Sequence, residues 1–119
     1  VYGGAGDDRV VGGNGSDHIY GDAGDDWLKG GNGPDWLDGG SGDDTLLGRA
    51  GADILVFSTG QDVVEDFEPG LDDIDLASAG LTRDDVTIDL VAGDTVIQDL
   101  AGNSMTLLGV ALDEAELVV

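Results

Sequence analysis

The sequence predicts an all-β chain: a parallel β-roll, that is a β-solenoid, followed by a C-terminal β-rich cap. Three observations predict it. From Gly3 the chain repeats every nine residues, with Gly in first and fourth place, Asp in sixth and an aliphatic residue in eighth. Six such blocks follow one another, starting at Gly3, Gly12, Gly21, Gly30, Gly39 and Gly48, and they hold sixteen of the 22 glycines. Beyond Phe57 the frame gives way to alternating apolar segments separated by turn residues. These features divide the chain at 1–56, the repeat array, and 57–119, the cap.

Each block is a turn followed by a short strand. The glycines suit positive φ and close backbone approach, which side chains would block. The eighth-place residues Val10, Ile19, Leu28, Leu37, Leu46 and Leu55 point inward as a thin aliphatic core. Two blocks then make one coil of 18 residues with a strand on each side. Sixth-place Asp8, Asp17, Asp26, Asp35, Asp44 and Asp53 stand at the strand starts, and alternate ones stack at about 4.8 Å. In the cap, "DVVEDF", "DDIDL", "DVTIDL", "DTVIQDL", "SMTLLGV" and "AELVV" read as strands, and "AGLTRDD" as a short helical or irregular turn. The cap covers the edge that the last coil would leave open.

Composition excludes several functions. With 26 acidic residues against 4 basic ones, the net charge is −22, which argues against nucleic acid or an anionic membrane as partner. No apolar run approaches the ~20 residues of a membrane span. Cysteine is absent and His18 stands alone, so thiolate and zinc sites are excluded as well. Val1 and Tyr2 fit the last two places of a preceding block, which predicts an upstream domain in a longer protein. No nucleophile motif or distinct acid–base pair stands out, so no catalytic residue is assigned and the module is read as non-catalytic.

A column of unpaired Asp residues would repel itself. Carbonyl and carboxylate oxygens without sulfur are the donors that a hard divalent cation selects, and calcium accepts many protein oxygens more readily than magnesium does. Residues 1–56 carry eleven Asp and three basic residues, a net of −8, which four calcium ions would neutralise and five would slightly exceed.

The blocks resemble the repeats-in-toxin nonapeptide, GGxGxDxUx with U a large aliphatic residue. The second half, with "DVVEDFEPGLDDIDL", is similar to the C-terminal β-roll regions of serralysin-like proteases and alginate epimerases. The acidic-then-hydrophobic "AELVV" resembles the terminus of type I secretion substrates, which implies that 57–119 holds a secretion-signal region as well as the cap. The resemblance implies a calcium ion between each turn and the turn 18 residues later, with ligands from both. The first site would take Gly4, Gly6 and Asp8 with Gly21, Ala23 and Asp26. On the opposite edge, Gly13, Gly15 and Asp17 would meet Gly30, Asn32 and Asp35. Next, Asp22, Gly24 and Asp26 would face Gly39, Ser41 and Asp44, and Gly31, Gly33 and Asp35 would face Gly48, Ala50 and Asp53. A fifth site would join Gly40, Gly42 and Asp44 to Phe57, Thr59 and Asp62, and a sixth would use Asp53 with Glu65, Asp66 or Asp72. Asp22 and Arg49 replace the second glycine of their blocks and must hold its turn geometry.

The resemblance further implies a secreted, extracellular module that folds on binding calcium after passage through type I secretion machinery. Outward residues supply an alternative. Tyr2, His18, Tyr20 and Trp36 fall together on one sheet, and Arg9, Trp27 and Lys29 on the other. Such aromatics stack on sugar rings or pack against a neighbouring domain, so a glycan is the alternative partner. Fifth-place Asp7, Asp25 and Asp43 read as solvated turn residues.

Overall fold

The structure, a computed structural model, describes residues 1–110, so "AELVV" lies outside the described residues. Each block forms one strand. Strands β1 (Arg9–Asn14), β3 (Trp27–Asn32), β5 (Thr45–Ala50) and β7 (Gln61–Val64) lie side by side on one face of the roll. Strands β2 (His18–Tyr20), β4 (Trp36–Asp38), β6 (Ile54–Val56) and β8 (Asp73–Asp75) form the other face. Pairing is parallel and shifted by one coil, Arg9 opposite Trp27 and His18 opposite Trp36.

That register stacks each eighth-place residue on its equivalent in the next coil. Val10, Leu28, Leu46 and Val64 form one inner column; Ile19, Leu37, Leu55 and Ile74 form the other. All eight are buried. Full burial of one such side chain stabilises by about 1.5–3 kcal/mol, so the core is continuous but only one residue deep on each side. The nonapeptide frame ends near residue 56, yet both sheets run on through β7 and β8.

Beyond the roll, two single-turn 3₁₀ segments, Ala77–Ala79 and Arg83–Asp85, match the short turn expected there. Strands β9 (Val86–Val91), β10 (Asp94–Asp99) and β11 (Ser104–Leu107) form an antiparallel meander. β11 pairs in parallel with β7, so the meander extends the long-stranded sheet to seven strands in the order β1-β3-β5-β7-β11-β10-β9. The β9–β10 turn is a two-residue loop, Ala92-Gly93, with positive φ at both residues, the hairpin type that matches strand twist. Phe57, Phe67, Leu76, Val86, Ile97, Met105 and Leu107 extend the same core under the meander. Among the described residues no helix is long and apolar enough to cross a membrane.

Candidate metal centres

The turns between strands lie along the two edges of the roll. On the first edge Asp8, Asp26, Asp44 and Asp62 stack; on the second, Asp17, Asp35, Asp53 and Asp72. In each column, Oδ1 of every Asp after the first accepts the backbone N–H of the Asp one coil earlier. The distances are 2.8, 2.8 and 2.9 Å on the first edge and 2.9, 2.9 and 3.0 Å on the second. This bond fixes the rotamer, so the other oxygen of each carboxylate is aimed inward. Asp26, Asp35, Asp44, Asp53, Asp62 and Asp72 are all at most 3% exposed.

Asp62 Oδ2 accepts the Ser58 hydroxyl and Asp72 Oδ2 the Glu68 N–H, but the other six inward oxygens have no donors. Oδ2 of Asp8, Asp17, Asp26, Asp35, Asp44 and Asp53 is buried without a hydrogen-bond partner. Leaving one such group unsatisfied costs at least about 1–3 kcal/mol, and more when it is charged. Burial accordingly pushes the Asp44 carboxyl up to about 8, Asp53 to about 7 and Asp62 to about 6. Asp26, Asp35 and Asp72 are raised for the same reason, and like charges add to the shift: Asp8 and Asp17 one coil earlier for Asp26 and Asp35, and Glu68 and Asp66 of its own turn for Asp72. The backbone N–H that each of these carboxylates accepts works against the shift without cancelling it.

Carbonyls of both turns converge on these gaps. A Cβ placed on Gly3 would lie 2.9 Å from Gly21 O and 3.0 Å from Asp8 Oδ2; on Gly12 it would lie 2.8 Å from Gly30 O and 2.7 Å from Asp17 Oδ2. First-place glycine therefore leaves open the space where a later-coil carbonyl and an orphaned carboxylate meet. From the other side, fourth-place Gly15 O comes within 2.6 Å of where a Gly33 Cβ would be, with Gly33 at φ +107°. Asp22 and Arg49 take the left-handed conformation of the glycines they replace, at φ 69° and 70°. No group of three or more His, Cys, Asp or Glu side chains capable of holding a metal occurs among the described residues. The donor set is instead one carboxylate per coil plus main-chain oxygen, which suits a hard cation.

The structure thus brings together the predicted first-, second- and fourth-place residues and the sixth-place Asp. Two third-place residues are less free: Asn32 O and Ala50 O each accept a glycine N–H of the preceding coil at 2.9 Å, which leaves one lone pair apiece. At the fifth predicted site the 57–62 turn keeps the frame in part. Gly60 takes the fourth place at φ +97° and Asp62 the sixth, while Phe57 buries its ring in the core.

One further row escaped the sequence reading. Asp7, Asp25 and Asp43 are exposed, as expected of turn residues, but their Oδ1 atoms accept N–H from Asp25, Asp43 and Gln61 at 2.7, 2.7 and 2.8 Å. The doubled Asp recurring in alternate blocks was the available signal. On the outer sheet faces, Tyr2 stacks on Tyr20 at 4.9 Å, and His18 and Tyr20 flank Trp36 at 5.5 and 5.1 Å. The Arg9 guanidinium lies 4.2 Å from the Trp27 ring centre.

Residues 2–37 and 29–64 match the RTX calcium-binding nonapeptide repeat, a match that spans more than half of the chain. The chain belongs to this family. Among solved structures, the RTX roll is similar to the AlgE6R3 subunit of the Azotobacter vinelandii mannuronan C5-epimerase. That likeness has 29% identity and a TM-score of 0.72, covering 96% of this chain and 78% of that one. The AlgE6R2 subunit of the same epimerase is 25% identical, with a TM-score of 0.63, covering 92% and 90%. The extracellular lipase LipA of Serratia marcescens is 26% identical with a TM-score of 0.72; the match covers 98% of this RTX chain but 20% of the lipase. No curated protein matches the sequence.

Proposed function

We propose that this RTX roll is a calcium-dependent folding module, non-catalytic in itself, at the C-terminal end of a larger protein exported by type I secretion. The observation that carries the reading is the set of six buried, unpartnered Asp Oδ2 atoms, one in each gap between successive coils. We assign the ligands of five gaps as the family resemblance implies, from Gly4, Gly6 and Asp8 facing Gly21, Ala23 and Asp26 to Gly40, Gly42 and Asp44 facing Phe57, Thr59 and Asp62. When bound, calcium supplies each gap with compensating positive charge and a centre for oxygen coordination.

The chain's own part follows from charge and spacing. In the metal-free state the aspartates of one edge, about 4.8 Å apart when stacked, repel each other and oppose closure of the coils. Where free calcium is scarce the chain therefore stays extended, in the form a secretion channel accepts. Outside the cell, with dissociation constants of ~10⁻⁴–10⁻³ M for extracellular modules, the coils close and binding free energy becomes folding free energy. The extracellular lipase among the similar structures supports a secreted parent. Asp26, Asp35 and Asp44 each belong to two gaps, which couples the sites.

The test is far-ultraviolet circular dichroism in excess chelator, followed by calcium to about 10 mM, above the range of extracellular modules. A steep coil-to-β transition that magnesium does not reproduce is expected. A spectrum already β-rich in chelator and unchanged by calcium would refute the switch.

The Tyr2–Tyr20–Trp36–His18 stack favours a second reading, a sugar-docking face, and the likeness to epimerase subunits is consistent with it. Loss of oligosaccharide binding in Trp36→Ala with calcium uptake intact is the expected result; unchanged binding would leave the stack a packing surface.

A further inference from the structure

We propose that Asn14 and Asn32 are conformation-gated deamidation sites, open to the reaction in the unfolded chain and closed by the pairing of coils. Because calcium closes the coils in the reading above, the reaction marks, without return, chains that have stayed without it.

The sequence has three asparagines, and two of them, Asn14 and Asn32, precede glycine. An Asn-Gly pair is open to attack by the following amide nitrogen, because glycine has no Cβ to crowd the ring that forms. The nitrogen of Gly15 or Gly33 loses its proton to solvent base and bonds to Cγ of the asparagine before it. The Cγ–Nδ2 bond breaks, and Nδ2 leaves as ammonia with a proton from water. Water then opens the succinimide at either carbonyl, giving Asp or isoAsp. Water is consumed and ammonia released, with no oxidation or reduction.

In the roll both asparagines are exposed, so burial does not protect them. What protects them is the bonding of the attacking nitrogens. Gly15 N–H donates to Asn32 O and Gly33 N–H to Ala50 O, each at 2.9 Å. Both asparagines end long strands in register, Asn14 opposite Asn32 and Asn32 opposite Ala50. Asn32 Nδ2 also donates to Asn14 Oδ1 at 3.0 Å, which holds the two carboxamides against each other. Ring closure must turn the glycine nitrogen away from the next coil's carbonyl, so it requires a local opening. Asn32 sits in β3, between β1 and β5, whereas Asn14 sits in β1 at the edge of the sheet. Asn14 is therefore the less protected of the two.

The products no longer suit the frame. Two Asp residues here would set carboxylates face to face where the 3.0 Å amide bond stands. IsoAsp routes the main chain through Cβ and lengthens a nine-residue block by one backbone atom, which disturbs closure of the second edge.

Peptide mapping by mass spectrometry tests this on the full chain aged in mildly alkaline buffer, with circular dichroism on every sample. The conditions are saturating calcium, excess chelator, and excess chelator with urea. The urea sample supplies the unfolded rate whether or not calcium controls folding. Asn14 and Asn32 should lose their amides at least about tenfold more slowly in the calcium-loaded chain than in urea, Asn14 the faster of the two. Asn103, which precedes Ser104, should be slower than both in urea. Gly15→Ala should slow the loss at Asn14 in urea and leave that at Asn32 unchanged. Equal rates in calcium and in urea, with the calcium sample folded, would overturn the gating and leave the calcium switch standing. A chelator sample that is folded and as protected as the calcium sample would instead refute the switch and leave the gating by coil pairing intact.

Discussion

The two edges of the roll share an inner row of aspartates and differ in the outer one. On the first edge Asp7, Asp25 and Asp43 form an exposed ladder outside Asp8, Asp26 and Asp44. On the second edge the same places hold Ser16, Pro34 and Ala52, outside Asp17, Asp35 and Asp53. Coils close on both edges with the same inner bonds, so the outer carboxylate is not a condition of the turn. The inner carboxylate is, because its Oδ1 holds the preceding coil and its Oδ2 faces a buried gap. The inner row is thus fixed by burial, while the outer row adds charge to one edge.

The largest effect should come from a change that spares neither edge. Leu37 is fully buried between the two faces, packed in the column of Ile19 and Leu55. Leu37→Ala should cost about 2–5 kcal/mol, since a core one residue deep cannot collapse around the cavity. Chemical denaturation at saturating calcium reads this directly. A cost below about 1 kcal/mol would mean that ions, not the aliphatic columns, hold the coils together.

Next come the inner aspartates, compared within an edge. Asp26 serves two gaps and Asp8 one, so Asp26→Ala should raise the calcium midpoint and flatten the transition more than Asp8→Ala. Even outer-shell changes typically cost 10–100-fold in metal affinity, so about tenfold or more is expected for Asp26→Ala. Asp35→Ala against Asp17→Ala should repeat the ratio on the second edge. Equal midpoints for Asp26→Ala and Asp8→Ala would break the shared-ligand scheme.

The inner rows also predict how the metal-free chain responds to pH. Asp44, Asp53 and Asp62 have folded values of about 8, 7 and 6, all above the ordinary carboxylate range. A raised folded value means that the folded form binds more protons than the unfolded one. The associated stability is therefore fully present below about pH 4 and is lost as pH rises from there through about 8. In calcium-free buffer the β signal should grow on acidification across that window, and calcium should bind more weakly as protons compete. A β content independent of pH would show that these carboxylates are not buried without the ion.

Much of this was legible because periodicity is a strong signal. The aliphatic eighth place named the core residues from Val10 to Leu55, and the glycine–Asp frame named the carboxylates that face the gaps. Legibility failed where the frame changed. An insertion moved the last Asp of the second column to Asp72, 19 residues after Asp53, so the sequence left that place open among Glu65, Asp66 and Asp72. Phe57 took a glycine's place in a turn that otherwise keeps the frame. The joining of β11 to β7, which makes the cap an extension of one sheet, depends on a contact between distant segments that no local pattern encodes. Sheet pairing of this kind is set by tertiary packing rather than by propensity.

The smallest predicted effect belongs to the outer ladder. Asp25 Oδ1 accepts Asp43 N–H in solvent, and the Asp25 amide in turn donates to Asp7 Oδ1, so Asp25→Ala deletes one exposed bond and keeps the other. An exposed bond contributes about 0.5–1.5 kcal/mol, and removing one of three stacked like charges returns part of that through relieved repulsion. The net change in stability at saturating calcium should therefore be below about 1 kcal/mol. The calcium midpoint should shift slightly upward and become less sensitive to salt, because a screened surface charge has been removed. A shift as large as that of Asp26→Ala would overturn the division between rows and place the outer carboxylate among the ligands of the first edge.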